Sequence, residues 1–269
     1  MDKVKPILKA LLFSAIMLLF YICSYYIAKA LKLSVNRTYV FQGGMMLLST
    51  LVPLFYIGVK QYGGEDVGLN KVNMKSLKGL LFYIPLILAI CALFLAFKKN
   101  VPTKSLLVQL FFYLSAALAA EIYFRGLIQK EFRDHHHVVV ALVIISLLYA
   151  VTNLYYYGRI TGIKVILVLS CGQVAVAGIN GIIIEKKGNL FFTTIFNALY
   201  VLVGANYIAN GKKILLAQGL SWVVLLIYGL FLLITFLKPS KPKEEEVAEV
   251  EEKNPEEEVV LEEPNMTLE

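Results

Sequence analysis

The chain alternates long apolar runs with short polar breaks. Crossing a bilayer core takes about 20 apolar residues, and eight runs approach that length: Ala10 to Ala28, Tyr39 to Gly58, Leu80 to Phe97, Leu106 to Ile128, Val138 to Tyr157, Val165 to Ile184, Leu190 to Ala209, and Leu215 to Leu237. This pattern predicts an all-α fold, a polytopic bundle of about eight transmembrane helices. Pro53 and Pro85 fall inside runs and predict kinks, because proline removes a helix donor. The first run follows Lys3, Lys5 and Lys9, as a signal peptide would. It is long and lacks a small-residue cleavage site, which predicts a retained first helix.

Composition agrees with the pattern. The chain is 58% hydrophobic and 17% charged, against about a quarter charged in soluble domains, and its mean hydropathy is +0.70. Cys23, Cys91 and Cys171 stand alone in separate runs, a spacing that gives neither a disulfide framework nor a zinc ribbon.

Between the runs, the stretch from Lys60 to Lys78 is the longest connector; its glycines, charges and spaced Val, Leu and Met fit a short interfacial helix or a solvated link. His135, His136 and His137 are the chain's three histidines. Consecutive residues on a helix point about 100° apart, so the three cannot all face one metal. The sixth run carries Gly172, Ala175, Gly178 and Gly181 at three-residue steps, a small face that lets another helix approach closely. A turn at Gly188-Asn189 then separates it from the seventh run.

Charge divides the chain in two. Residues 244–269 hold 12 of the 19 acids and one base, Lys253, a net of −11; the remaining 25 bases and 7 acids give +18. With prolines and almost no aromatics, 244–269 predicts a disordered acidic tail after a transmembrane domain over 1–243. A basic membrane domain suits anionic lipid headgroups. Its bases are scattered through short loops and form no stripe, which excludes a nucleic-acid surface. With the N-terminus inside, 14 loop bases face the cytoplasm and 10 the other side, which predicts a multi-pass cell-membrane protein with both termini cytoplasmic.

Chemistry is concentrated in the run Ala116 to Gln129, AALAAEIYFRGLIQ, which carries Glu121 and, four residues on, Arg125. An acid and a base inside an apolar span mark a functional site by default. At i,i+4 they share one helix face. Breaking one side of a buried pair strands the other charge at about 3–5 kcal/mol.

The sequence Ala120-Glu121-Ile122-Tyr123-Phe124-Arg125-Gly126 resembles the first motif of the CPBP family, the CAAX-protease and bacteriocin-processing intramembrane metalloproteases. That motif has two adjacent glutamates, three residues, arginine and usually glycine. The second glutamate, the aromatic, Arg125 and Gly126 match; the first glutamate, which in the family activates the catalytic water, is Ala120. The second motif, an aromatic with histidine four residues later, corresponds to Tyr149 and Asn153. In the third region Gly188-Asn189-Leu190 fits, while the histidine position is Asn197 and the position four later is Val201. The resemblance implies a CPBP-like core over about 105–209.

The four chemical positions that the resemblance implies thus hold Ala120, Asn153, Asn197 and Val201. Zinc-assisted hydrolysis needs imidazole, thiolate or carboxylate ligands and a base for the bound water. The expectation is a pseudoenzyme with no metal and no cofactor, in which Glu121 and Arg125 are a remnant of the catalytic motif. A polar, metal-free cavity framed by Glu121, Arg125, Asn153 and Asn197, with Tyr149 beside it, would bind a transmembrane or lipidated peptide or a partner protein. A divergent CAAX-type endopeptidase using zinc, with Glu121 as base, is the alternative; a small-solute or ion carrier is a third. At about 1.5 Å per residue, Glu121 and Asn197 lie about 12–14 Å in from the same side, whereas Asn153 lies about 24 Å from His137, out of line with them. Gln109, Gln173, Asn180 and Asn206 predict plain interhelical hydrogen bonds.

Overall fold

The computed structural model describes residues 4–69, 83–97, 102–153, 163–185, 189–206 and 211–237. Among them all regular structure is helical, in eight rods: α1 (Val4–Ala30), α2 (Val35–Val59), α3 (Ile84–Phe97), α4 (Thr103–Arg133), α5 (Val138–Asn153), α6 (Ile163–Glu185), α7 (Leu190–Ala205) and α8 (Gly211–Leu237). Each matches one predicted run. Among the described residues α1, α2 and α4 are long and apolar enough to cross a membrane, and shorter apolar stretches of 10–17 residues lie in α5, α6, α7 and α8. The acidic stretch 244–269 lies outside the described residues.

The sides of these helices are sorted as a lipid solvent requires. Leu8, Leu12 and Leu19 of α1, Val151 of α5, and Ile227 and Ile234 of α8 are more than half exposed, while Glu121, Arg125, Asn180 and Thr193 are buried. Polar groups inside and leucines outside is the arrangement in which no charge meets hydrocarbon. α4 holds the centre. Its first half packs on α2 and α7, and its middle touches α1, α5, α6, α7 and the second half of α2.

The small face of α6 serves three neighbours. A Cβ on Gly181 would stand 2.5 Å from Leu142 Cδ2 of α5, and one on Gly172 would run into the Tyr200 hydroxyl of α7 and meet Trp222 of α8 at 3.0 Å. Close approach there depends on the missing side chains.

The two prolines act differently. Pro53 has no N–H for the carbonyl of Ser49, four residues earlier, and the helix breaks at Thr50 between its Val35–Ser49 and Leu51–Val59 segments. Ser49 is fully buried, so its carbonyl needs another donor. Tyr123 of α4 supplies it, with its hydroxyl 3.0 Å from the Ser49 oxygen. Pro85, by contrast, is the second residue of α3. There a missing N–H has no helical acceptor to lose, so Pro85 opens its helix and the kink expected inside that run does not occur.

The connector after α2 begins with turns over 61–69, where an interfacial helix was one expectation; 70–78 lie outside the described residues. Gly68 adopts a φ of +71°, a region costly for residues with a Cβ. Its carbonyl accepts from Leu190 N at 2.9 Å, and the Asn189 side chain accepts from Phe191 N at 2.8 Å. These two bonds satisfy free donors at the start of α7 and fix the register of the helix that carries Asn197.

Replacing Tyr123 with Phe should strand the Ser49 carbonyl and lower stability by about 1–3 kcal/mol. In a Pro53→Ala background, where the helix can supply its own donor, the same change should cost clearly less. Thermal unfolding of the purified protein in detergent reads both; equal costs in the two backgrounds would break the link.

Candidate functional site

The motif sits on a widened stretch of α4. Residues Ile122–Ile128 form a π-helical segment between the α-helical Thr103–Glu121 and Gln129–Arg133. Single π turns inside α-helices recur at functional sites. This one places Tyr123, Phe124, Arg125 and Leu127 in fully or almost fully buried positions, with Glu121 at its head.

Glu121 is completely buried. Its Oε1 accepts from Asn180 Nδ2 of α6 at 3.0 Å, from Asn197 Nδ2 of α7 at 3.4 Å and from the Tyr149 hydroxyl of α5 at 3.5 Å. The first is a well-formed hydrogen bond and the other two are long. Asn197 Nδ2 also donates to the Tyr149 hydroxyl, and Asn180 Nδ2 lies 3.4 Å from the Thr193 carbonyl oxygen. One carboxylate thereby joins four helices.

Arg125 takes most of its stabilisation elsewhere. Its Nε is 3.9 Å from Glu121 Oε2, an ion pair with no hydrogen bond between those two atoms. Instead Nη2 donates to the Ala177 carbonyl at 2.5 Å and Nη1 to Gln129 Oε1 at 3.2 Å, and the guanidinium lies 5.5 Å from the centre of the Tyr149 ring. Gly181 makes room for it: a Cβ there would come within 3.0 Å of Nη1. Gln129 continues the strip, donating to Gly181 O at 3.1 Å and to Glu185 Oε1 at 2.6 Å. Glu121, Arg125, Gln129 and Arg133 thus form a line on α4, four residues apart, and the last three meet Ala177, Gly181 and Glu185 of α6, likewise four apart.

A small pocket lies beside this network, lined by Tyr113, Ala116 and Ala117 of α4, Asn153 of α5, and Asn197 and Val201 of α7. It has room for about one water-sized group. Asn153 and Asn197 face it together, although the depth reckoning set Asn153 apart. That reckoning measured Glu121 from Gln129, whereas α4 continues to Arg133. Counted from there Glu121 lies about 18 Å in, and roughly half of the mismatch disappears. Glu121 and Arg125, expected to frame this cavity, lie behind its wall, with Asn197 between Glu121 and the pocket. Tyr149 joins the network rather than the lining.

Several residues were not tied to the site from sequence. Asn180, read as interhelical glue, does bridge helices, and its partner is Glu121. Asn206 and Gln109 bond each other at 2.8 Å, as such glue would. Tyr83, at the start of α3, is fully buried against Phe196. A second buried carboxylate, Glu131, binds Lys9 of α1 at 2.7 Å and the hydroxyls of Tyr56 at 3.1 Å and Tyr62 at 2.8 Å. Burial first, and then the hydrogen bond to Glu131, holds the Tyr62 hydroxyl pKa well above its usual value. The lysine and the glutamate lie 47 and 69 residues from the nearer of the two tyrosines, so nothing local in the sequence announces this cluster.

The donor set at the motif positions is unlike that of a zinc site. Asn153 and Asn197 offer neutral amide oxygens, and Ala120 and Val201 offer no ligand atom. Among the described residues no group of three or more His, Cys, Asp or Glu side chains converges. A hydrolytic zinc site takes three protein ligands drawn from those types. The residues at these positions do not fit it.

Residues 102–203 match the family model described as Type II CAAX prenyl endopeptidase Rce1-like. The resemblance to the CPBP family carried by the Phe-Arg-Gly and Gly-Asn-Leu sequences is therefore shown over that stretch, which contains α4, α5, α6 and most of α7. No curated protein matches the chain.

Because Glu121 and Arg125 are both buried, Glu121→Leu or Arg125→Leu alone should destabilise by about 3–5 kcal/mol through the charge left behind. The double Leu variant should unfold at a higher temperature than at least one of the single variants. Additive losses in thermal melts would mean that the pair is held by its other hydrogen bonds and not by charge balance.

Proposed function

We propose that this chain, a membrane protein whose 102–203 core is Rce1-like, is a pseudoprotease of the CPBP family that binds a membrane-embedded peptide or partner segment without cleaving it. The observation that carries this reading is the pocket lined by Asn153, Asn197 and Val201. These are the positions at which the resemblance calls for metal ligands. An asparagine amide binds zinc far more weakly than imidazole, and valine not at all. Peptide hydrolysis assisted by a metal needs both a polarising cation and a base for its water. Ala120 supplies no base, and Glu121 is held by Asn180, Asn197 and Tyr149 behind the pocket wall.

The same side chains retain binding chemistry. Both amides can donate and accept hydrogen bonds, and the apolar walls of Ala116, Ala117 and Val201 suit a lipid-embedded or lipidated segment. The basic loops support a cell-membrane setting in which both termini face the cytoplasm and the anionic headgroups there.

Full-length protein purified in detergent should carry well under one zinc per chain by elemental analysis. It should leave a farnesylated peptide of CAAX type uncut while retaining measurable affinity for it. One zinc per chain that disappears on substituting Asn197 or Glu121, together with cleavage, would establish the active endopeptidase instead.

A further inference from the structure

We infer that the pocket between α4, α5 and α7 selects an uncharged hydrogen-bond donor, the N–H or primary amide of a peptide, and rejects a carboxylate. The inference rests on the peptide-binding reading above and specifies the chemistry of that same site. Its basis is the way the two amides are turned.

A carboxylate oxygen and a backbone carbonyl can only accept hydrogen bonds from an amide. Asn197 meets Glu121 Oε1 at 3.4 Å, so the group facing Glu121 must be its Nδ2. The Asn197 Oδ1 is then directed away; it is buried and accepts no hydrogen bond. Asn153 lies 2.8 Å from the Tyr149 carbonyl oxygen, and again the near atom must be Nδ2. Its Oδ1 points away as well. Both residues line the pocket, so the two side-chain amides present oxygen to it.

The remaining wall is Ala116, Ala117, Val201 and the side chain of Tyr113. Among the described residues no cation lines it, since Arg125 is turned to Ala177 and Gln129. Two acceptor oxygens in apolar surroundings stabilise a donor that has left water. They repel a carboxylate, which would lose its hydration and meet no positive charge among the described lining residues, with the Tyr113 hydroxyl as the one side-chain donor of the apolar wall. Two oxygens are also far short of the six or more that a hard cation takes. A buried acceptor left unpaired costs about 1–3 kcal/mol, and this is what a bound N–H would recover. With room for about one water-sized group, the pocket takes the tip of a segment while the rest lies outside it.

The test compares two probes on the full chain in lipid nanodiscs: a fluorescent farnesylated tetrapeptide ending in a primary amide, and the same peptide ending in a free carboxylate. Fluorescence anisotropy should give at least tenfold tighter binding for the amide. Asn153→Leu, which removes one acceptor, and Val201→Phe, which fills the pocket, should each weaken the amide at least tenfold and bring it towards the acid. Asn197 is left alone because it holds Glu121. Melting temperatures verify that both variants fold, and Asn153→Ala, which removes the same acceptor with a smaller side chain, provides a second variant if Asn153→Leu does not; it should likewise weaken the amide at least tenfold. If neither peptide binds, the peptide-binding reading itself fails. Equal affinity, a preference for the acid, or amide binding unmoved by Asn153→Leu would overturn donor selection and leave peptide binding standing.

Discussion

The constraint on which the rest of this structure depends is the burial of one carboxylate and one guanidinium at the centre of an apolar bundle. Glu121 and Arg125 are 0% and 1% exposed. Charges placed so deep must find partners within the protein. Much of what is unusual nearby supplies them: a π turn carries Arg125, a glycine on α6 clears its path, and amides come from α6 and α7. Fold and site are therefore not separable here. Of the four helices that meet at Glu121, α4, α5 and α7 also enclose the pocket.

The manner of satisfaction matters. At 3.9 Å with no hydrogen bond between them, Glu121 and Arg125 balance each other electrostatically while their directional bonds go to other groups. Arg125 is fixed by the backbone of α6, and Glu121 by side chains of α5, α6 and α7. Backbone carbonyls cannot change rotamer or titrate, so Arg125 is a rigid fixture. A second fixture lies at Glu131, where Lys9, Tyr56 and Tyr62 tie α1 and α2 to the end of α4. Between them α4 is held along most of its length, and Asn197 is held in turn by Glu121.

The helical content was legible because apolar run length is a strong signal, and each of the eight runs returned as a helix. The acid and base inside one run were equally plain, and the Phe-Arg-Gly and Gly-Asn-Leu sequences pointed to the family. Other features were hidden for physical reasons. A proline reads alike at the start of a helix and within it, yet Pro85 opens α3 while Pro53 breaks α2. A π turn leaves no mark in an apolar run, so α4 was read as uniform; polar residues also hid its continuation to Arg133, and Glu121 was set too shallow against Asn153. Which side of Asn197 faces the pocket depends on three helices meeting, and no periodicity along one of them reveals it.

Replacing an imidazole by an amide alters a site asymmetrically. The ability to hydrogen-bond survives, so Asn197 can hold Glu121 and Tyr149, and the scaffold around the carboxylate needs no other change. Affinity for a borderline metal does not survive, because a neutral amide oxygen is a poor ligand for it. What remains of a ligand position is then an acceptor pointing into a pocket. On the pseudoprotease reading proposed above, a chain with this replacement at two positions and apolar side chains at two others would keep the architecture that receives a peptide without the groups that activate water against it. The hydrogen bonds that orient the two amides belong to the fold, and that of Asn197 joins two helices, so the selectivity inferred for the pocket would follow from the same contacts.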